Sequence, residues 1–317
     1  MGEAAGLAKR QNPVRLNLWV CVCGVGGVPT VFLVVSMCGG PLRALGTTAN
    51  IKHIAMGRCF DYITLVNPSV WYDCEEIWRA FEEAVVGQAS CDVAAEQYRR
   101  MFQAMPQTWA CDRFLFWSKT KRLIQDYTAV ARHFRTLEDT LVGFMFNDLV
   151  WCGRQEDADF DFRSCPKWSA CLNHPVHSLW RQASKNFAEL ACGNITVLLN
   201  GSIESAFNRN SMFGSVELDN LNPRRVNFVN IKVVTNVEGP FVESCSEGSV
   251  ADLIRILQSR GFRWTCSDND QILMTLQCLR KPEHPSCRPC ADSLSAGRSA
   301  VRLADFGAAK TNAVSEK

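Results

Sequence analysis

ITVLLNG at residues 195–201 and VNFVNIKVV at residues 226–234 are two short runs rich in β-branched residues, with turn-forming residues around them. SVELDN at residues 215–220 and FRWTC at residues 262–266 have a similar character and predict two further strands. A helical apolar stripe over residues 249–260 separates the strands predicted at 226–234 and 262–266. Strands that alternate with helices need crossover connections, so this half of the chain predicts a small parallel-sheet α/β subdomain.

The residues before this sheet have mainly helical patterns. Asp73 and Glu76 resemble a capping box, apolar residues follow at helical spacing, and Gly87 can end that helix. Further helical patterns cover residues 94–104, 113–131, 136–147 and 176–191, with a last one near 270–280. The predicted fold class is therefore α/β, with an N-terminal helical subdomain, a small parallel sheet, and a cleft between them that is a default ligand site.

The composition is that of an ordinary globular protein. The 317 residues are 47% hydrophobic and 21% charged, with a formal net charge of +2. Because charges of both signs are interspersed, there is no basic stripe to neutralise a phosphate backbone, and no nucleic acid is expected as a partner. No GxGxxG motif follows a predicted strand, so no bound redox dinucleotide and no other cofactor is predicted.

Cysteine is unusually abundant. The chain has 16 cysteines, and 12 of them fall between Cys59 and Cys287, which is typical of a protein folded in an oxidising compartment. A structural zinc site needs repeated short pairs, and the one CxxC motif, Cys287 to Cys290, has no matching second pair. No metal site is predicted, and the spacing alone leaves the disulfide pairing open.

The N-terminal region predicts a membrane anchor. No charged residue occurs between Arg15 and Arg43, and residues 16–38 are long and apolar enough to span a bilayer. Lys9, Arg10 and Arg15 precede this segment, so the positive-inside rule predicts a single-pass type II protein of the plasma membrane. A cleaved signal peptide is the competing interpretation, although its apolar core is usually shorter and ends in a small-residue cleavage site.

The resulting domain organisation has five parts. These are a cytoplasmic tail (1–15), a transmembrane anchor (16–38), a stalk (39–56), a folded ectodomain (57–290) and a flexible C-terminal tail (291–317). Two sequons fit an exported chain: Asn194, which lies next to a predicted strand, and Asn200, which is expected in a loop and is the better candidate for a glycan.

A series of short motifs carries a resemblance to a known family. They are LFWS (115–118), TLEDTL (136–141), WCG (151–153), SCP (164–166), LW (179–180), FAE (187–189), NGS (200–202) and FGSVE (213–217). Their order and spacing resemble the ADP-ribosyl cyclase/cyclic ADP-ribose hydrolase family, in particular its type II NAD glycohydrolase branch at the lymphocyte surface. The cysteines extend the resemblance from Cys59 to Cys287, so residues 57–290 are expected to be an ADP-ribosyl cyclase-like ectodomain.

The resemblance implies how the cysteines pair. The six expected bridges are Cys59–Cys74, Cys91–Cys171, Cys111–Cys192, Cys152–Cys165, Cys245–Cys266 and Cys278–Cys287. Cys290 is then left outside the pattern.

The resemblance assigns the catalytic carboxylate to Glu217. Nicotinamide leaves NAD as a neutral molecule, so one carboxylate that stabilises the ribosyl cation, by charge or by a covalent bond, can suffice. The strand pattern by itself places Glu217 on the face opposite Val216 and Leu218, which is usually a solvated face. The motif and the pattern therefore predict different environments for the same residue.

Two tryptophans and two acids are further candidates. Trp117 and Trp180 resemble family residues that flank the substrate, where an indole face can attract a cationic pyridinium. Trp180 also lies on the apolar stripe of its predicted helix, which favours a place in the core. Glu138 resembles a family catalytic residue that lies at the nicotinamide end and influences how the intermediate partitions. Glu138 and Asp139 also suit the first turn of a helix capped by Thr136, where the helix dipole alone favours acids.

The remaining candidates surround the substrate, and three of the positions differ from the family pattern. The further predicted substrate-binding residues are Ser118, Asp139, Ser184, Phe213, Met212 and Lys119. In the family, the position of Met212 is commonly threonine in hydrolase-type relatives and aromatic in the efficient cyclase, while arginine and aspartate are usual at the positions of Lys119 and Asn147. The balance between linear product, cyclic product and base exchange is therefore left open.

The predicted function is that of an ectoenzyme that cleaves the nicotinamide–ribose bond of NAD. The expected products are ADP-ribose and cyclic ADP-ribose, with hydrolysis of the latter and base exchange on NADP. NAD, NADP and cyclic ADP-ribose are then small-molecule ligands, and NAD is a substrate rather than a cofactor. The alternative is a receptor or adhesion ectodomain of the same fold with little turnover, and a homodimer or a cell-surface protein partner is expected in either case.

Overall fold

The computed structural model describes residues 46–155 and 157–288. The predicted cytoplasmic tail, membrane anchor and C-terminal tail lie outside these residues, as does Cys290. Within the described ranges, no helix is long and apolar enough to cross a bilayer.

A four-stranded parallel sheet forms the centre of the α/β subdomain. Its strands are β1 (Leu115–Ser118), β2 (Gly193–Asn200), β3 (Val226–Val234) and β4 (Trp264–Asp268). They pair in the order β1-β2-β3-β4, and every neighbouring pair is parallel. The predicted parallel α/β architecture is confirmed.

The described helices cover both halves of the chain. They are α1 (Ile51–Asp61), α2 (Cys74–Val85), α3 (Arg99–Ala104), α4 (Lys121–Val130), α5 (Leu141–Phe146), α6 (Pro175–Leu190), α7 (Leu218–Asn220), α8 (Ser249–Ser259) and α9 (Gln271–Arg280). The predicted cap of α2 is present, since the Asp73 carboxylate accepts a hydrogen bond from the backbone N–H of Glu76 at 3.0 Å. Gly87, at φ 77°, follows this helix.

The two subdomains have separate cores. In the helical subdomain, Phe81 of α2 packs its ring 4.5 Å from Phe146 and 5.3 Å from Trp151, measured between centroids. In the sheet subdomain, α6 and α8 cover one face, and α4 and α9 cover the other. Buried strand side chains such as Val197 and Leu198 point to opposite faces, because side chains alternate along a strand.

Six disulfides cross-link the fold, and all six have the predicted pairing. They are Cys59–Cys74, Cys91–Cys171, Cys111–Cys192, Cys152–Cys165, Cys245–Cys266 and Cys278–Cys287. Cys111–Cys192 joins the chain just before β1 to the chain just before β2, and so fixes the amino ends of these two parallel strands relative to each other.

The strand predicted over residues 215–220 was wrong. This segment is helical, with a π-helical turn Phe213–Glu217 that continues into α7. The Ser211 hydroxyl accepts the N–H of Gly214, and the Ser215 hydroxyl donates to the Ser211 carbonyl, so local hydrogen bonds favour the turn. A Cβ at Gly214 would overlap the carbonyl oxygen of Asn208, which explains why the turn needs glycine there.

Two predicted helices were too long. Residues 115–118, inside the helix predicted over 113–131, form β1, because they pair with β2 and α4 begins only at Lys121. Within residues 136–147, a short 3-10 turn Leu137–Asp139 precedes α5, whose cap is the hydroxyl of Thr140.

The predicted stalk is also partly folded. Helix α1 begins at Ile51, inside the range 39–56, and both Ile51 and Ala55 are buried in the helical core. The Thr47 hydroxyl donates to the carbonyl of Cys152 at 3.2 Å. The folded part of the chain therefore starts before residue 57, since these residues have tertiary contacts.

Candidate active site

A cavity of about 290 Å³ lies at the carboxyl end of β1. Helix α6, the 3-10 turn Leu137–Asp139 and the π-helical turn Phe213–Glu217 complete its walls. Nine of the predicted site residues line it: Trp117, Ser118, Lys119, Glu138, Trp180, Ser184, Met212, Phe213 and Glu217. The structure thus brings together residues that lie 100 positions apart in the sequence, from Trp117 to Glu217.

Glu217 lies at the base of this cavity and is buried, with 7% of its surface exposed. The hydroxyl of Ser184, on α6, donates a hydrogen bond to Oε1 of Glu217 at 2.9 Å. Ser184 is itself buried. The solvated face expected from the strand pattern was therefore wrong, because the helical turn directs this carboxyl inward against α6.

Burial dominates the electrostatics of Glu217. It raises the pKa of the carboxyl from 4.5 to about 8, the Ser184 hydrogen bond lowers it, and the charge of Glu138 raises it. A cationic ligand in the cavity would favour the ionised form by direct charge attraction.

Glu138 and Trp117 both line the cavity and are joined by a hydrogen bond. The indole Nε1 of Trp117 donates to Oε2 of Glu138 at 3.3 Å. Gly143 allows this arrangement, because a Cβ there would overlap the carbonyl oxygen of Leu137 and the Cα of Glu138. The turn that holds Glu138 consequently packs directly on α5.

Three tryptophans line the cavity. Trp117 is on β1 and Trp180 is on α6, and both are half-buried. Trp180 also packs on the helical core. It therefore both lines the cavity, as the motif predicted, and contacts the core, as the apolar stripe of its helix predicted. Trp168, which sequence reasoning missed, is 54% exposed and lies at the rim on a short 3-10 turn.

The signal for Trp168 was present in the sequence but not distinctive. The residue lies in a short loop between Cys165 and Cys171, two cysteines of different bridges. An aromatic residue between two disulfide-bonded cysteines is held in place by both bridges. That Trp168 lies next to the cavity follows only from the tertiary structure. The other lining residues that were missed are Leu115, Phe116, Leu137, Phe187 and Ser211.

Asp139 does not line the cavity, contrary to its prediction as a substrate-binding residue. Its carboxylate accepts hydrogen bonds from the backbone N–H and the hydroxyl of Thr136, at 2.7 and 3.1 Å. This capping contact is the alternative that the Thr136 pattern also indicated. Asn147 is likewise outside the cavity lining, whereas Met212 and Lys119 belong to it.

The arrangement suits stabilisation of a cation. A buried carboxyl at the base, a second acid at the wall and three indole faces can hold a positively charged group away from water. Among the described residues, no cluster of histidine, cysteine or acidic side chains could hold a metal ion.

The fold and this cleft define a disulfide-bonded α/β protein with a buried carboxyl in a tryptophan-lined cavity. A family model described as ADP-ribosyl cyclase matches residues 48–287. The chain belongs to the ADP-ribosyl cyclase family, which is a family of enzymes.

Individual relatives also match most of the chain. The ADP-ribosyl cyclase/cyclic ADP-ribose hydrolase 1 of Mus musculus is 37% identical over 286 residues, which cover 88% of this chain and 92% of the mouse protein. Porcine CD38, solved with the covalent intermediate ribo-F-ribose-5'-phosphate, is 36% identical with a TM-score of 0.69, over 71% of this chain and 98% of that one. Aplysia cyclase, solved with substrate NGD and product cGDPR, is 30% identical with a TM-score of 0.73, over 77% and 98% of the two chains.

Proposed function

We propose that this protein cleaves the nicotinamide–ribose bond of NAD and releases ADP-ribose and cyclic ADP-ribose. The single observation that carries this proposal is the buried carboxyl of Glu217 at the base of a tryptophan-lined cavity. Hydrolysis of cyclic ADP-ribose and base exchange on NADP are further reactions of the same intermediate. NAD is a substrate here, and no resident cofactor is proposed.

The proposed reaction begins with departure of neutral nicotinamide. The positive pyridinium of bound NAD favours ionisation of Glu217, whose pKa burial raises to about 8. The ionised carboxylate then stabilises the ribosyl cation by charge, or captures it at C1 of the ribose as an ester. Attack by water yields ADP-ribose, and attack by N1 of the adenine yields cyclic ADP-ribose.

The other cavity residues have distinct proposed roles. Trp117 and Trp180 flank the pyridinium and exclude water, and Glu138 contacts the nicotinamide end. Ser118, Lys119, Ser184, Met212 and Phe213 contact the ribose and the phosphates. Because Lys119 is an exposed cation at the mouth of the cavity, it suits the diphosphate.

The decisive experiment is nicotinamide release by the purified full-length protein. Glu217→Gln should abolish release, while Asp219→Asn, which removes an exposed carboxylate paired with Arg209 nearby, should leave it unchanged. Undiminished release by Glu217→Gln would refute the proposal. Weak turnover by the wild type together with tight binding to a cell-surface protein would favour the receptor or adhesion alternative.

The fate of the intermediate needs its own measurement. Met212 lines the cavity where a threonine is usual in the family resemblance, and it lies next to Phe213 at the start of the π-helical turn. A time course that separates ADP-ribose from cyclic ADP-ribose, for the wild type and Met212→Thr, measures how this side chain directs the intermediate. An unchanged product ratio would exclude Met212 from that role.

We also propose that residues 16–38 anchor the protein as a type II protein of the plasma membrane, with the enzyme domain outside the cell. The support is the apolar segment preceded by basic residues, and the six disulfides that suit an oxidising compartment. A mature chain that begins near residue 40, established by terminal sequencing, would contradict the anchor.

Glycosylation at Asn194 and Asn200 is part of the same proposal. Asn194 is exposed. Asn200 ends β2 rather than lying in a loop, and its amide Nδ2 donates to the carbonyl of Lys119 at 3.3 Å. A glycosylated amide keeps one N–H, so that contact is compatible with a glycan. Glycosidase treatment of the Asn194→Gln and Asn200→Gln variants separates the two sites.

A further inference from the structure

The segment 201–212 connects β2 to the π-helical turn that contains Glu217. Its last two residues, Ser211 and Met212, line the active-site cavity, and Phe213 follows them at the start of the turn. Residues 201–211 form turns rather than a helix or a strand. Because turns lack the hydrogen-bond ladder of a regular element, the position of this cavity wall depends on contacts with neighbouring segments.

Glu243 is a buried carboxyl that contacts this segment. It lies between β3 and α8 in the chain and is 6% exposed. Its Oε1 accepts the backbone N–H of Ser205 at 2.6 Å, and its Oε2 accepts the backbone N–H of Ser249 at 3.1 Å and the Ser249 hydroxyl. A buried carboxyl is costly unless it is hydrogen-bonded, so these three bonds favour one arrangement of the segments that meet at Glu243.

The hydroxyl of Ser249 extends this contact toward the active site. It accepts the backbone N–H of Phe207 at 2.9 Å. The ring of Phe207 is buried, and its centroid lies 6.1 Å from that of Phe213, which lines the active-site cavity. Glu243 does not line that cavity itself, but it is connected to the cavity wall through Ser249 and Phe207.

The backbone on both sides of Glu243 is adapted to this contact. Ser205 has a φ of 56°, a left-handed conformation that residues other than glycine rarely adopt, and its N–H is the one bonded to Oε1. Gly248, at φ 71°, precedes Ser249, and a Cβ there would lie 2.8 Å from Cγ and Cδ of Glu243. Glycine at position 248 therefore leaves room for the carboxyl to reach the start of α8.

We propose that Glu243 is a positioning residue, which holds segment 201–212 so that Met212 and Phe213 keep their places in the cavity wall. This inference rests on the proposed function, in which those two residues contact the ribose and the phosphates of NAD. Without the Glu243 carboxyl, the segment adopts the cavity-forming arrangement for a smaller fraction of the time, and the apparent affinity for NAD falls by that fraction. Saturating NAD restores the arrangement, so KM changes more than kcat.

Hydrogen exchange, followed by mass spectrometry on the full-length protein, tests the contact whether or not NAD is cleaved. Glu243→Gln keeps the size of the side chain but replaces one acceptor oxygen by a donating amide, so at least one of the three bonds is lost. Exchange within residues 202–212 should become about tenfold faster. The matched control, Glu247→Gln, changes an exposed acid of the same connection and should leave this exchange unchanged. Equal exchange in Glu243→Gln and the wild type would overturn the proposal.

Kinetics separate positioning from a general loss of stability. Glu243→Gln and Ser249→Ala should each raise KM for NAD about fivefold to tenfold and change kcat by less than about threefold. Ser249→Thr keeps the hydroxyl and should restore the wild-type KM. Leu257→Val removes part of a fully buried side chain of α8, so it should lower the midpoint of thermal unfolding without changing KM.

Two outcomes distinguish failure of this inference from failure of the proposed function. Faster exchange in residues 202–212 with an unchanged KM in both Glu243→Gln and Ser249→Ala would refute the positioning role while NAD cleavage stands. If the wild type releases no nicotinamide, the proposed function fails, and the Kd for NAD measured by calorimetry replaces KM. A Kd that is equal in the wild type and both variants would then overturn the positioning role as well.

Discussion

The hydroxyl of Ser184 lies 2.9 Å from Oε1 of Glu217 and donates a hydrogen bond to it. This contact opposes two effects that raise the pKa of the same carboxyl, burial and the charge of Glu138. Glu217 is thus held between a neighbour that favours its ionised form and a neighbour that favours its protonated form.

Loss of the Ser184 hydroxyl should make Glu217 harder to ionise. Because the ionised carboxylate is the active form in the proposed mechanism, Ser184→Ala should move the rise of kcat/KM to higher pH. At pH 7, kcat/KM should fall about tenfold, which corresponds to one hydrogen bond to a charged group. Ser178→Ala, which changes another buried serine of α6 outside the cavity lining, is the control. An unshifted pH profile would contradict the role of Ser184.

Loss of the Glu138 charge should have the opposite effect. Glu138→Gln removes a negative charge that raises the pKa of Glu217, so the rise of kcat/KM should move to lower pH. The pH midpoint is the relevant quantity, because lost substrate contacts lower the rate at every pH without moving the midpoint. A midpoint that stays in place or rises would show that Glu138 does not influence Glu217.

Burial of Glu217 should also make folding stability depend on pH. Its folded-state pKa of about 8 lies above the model-compound value of 4.5, so the folded form prefers the protonated carboxyl. This contribution is fully present below pH 4.5 and is lost as the pH rises toward 8, by about 1.4 kcal/mol per pH unit in that window. Glu217→Gln should flatten this dependence and be more stable than the wild type at pH 8.5. Denaturant unfolding from pH 5 to 8.5 measures it, and equal slopes for both proteins would be inconsistent with a buried carboxyl.

Trp168 should contribute to substrate binding from the rim. Its indole is half exposed and lines the cavity, so Trp168→Ala should raise KM for NAD about threefold to fivefold, as expected for a partly solvated aromatic contact with a cation. The value of kcat should change by less than about twofold if the contact is equally strong in the ground state and the transition state. Leu172→Ala removes a 91% exposed side chain nearby that does not line the cavity, and it should leave KM unchanged.

Several features could be predicted because local patterns or motifs contain them. Residues 195–199 are apolar or β-branched at every position, as a strand buried on both faces requires, whereas the run at 226–234 contains polar residues and is buried mainly at alternate positions. Both are central strands of the parallel sheet. The pairing of the six disulfides followed from the family resemblance rather than from spacing, since twelve cysteines can pair in many ways. The same resemblance identified nine of the residues that line the cavity.

Other features were invisible to local reasoning for identifiable reasons. Residues 215–220 have strand-like composition, yet the hydroxyl of Ser211 and the close approach at Gly214 make them helical. Residues 115–118 are too short a run to predict a strand inside the longer helical pattern of residues 113–131. They form a strand because they pair with β2.

The sequence by itself determined the α/β class, the cysteine framework and the identity of the carboxylate that the family resemblance assigns to catalysis. Only the tertiary structure decided the environment of that carboxylate. Ser184 and Glu217 are 33 residues apart in the chain, and no periodicity connects them. Burial and hydrogen bonding depend on which elements pack together, so the pKa of Glu217 is a property of the contact between α6 and the π-helical turn rather than of either segment alone.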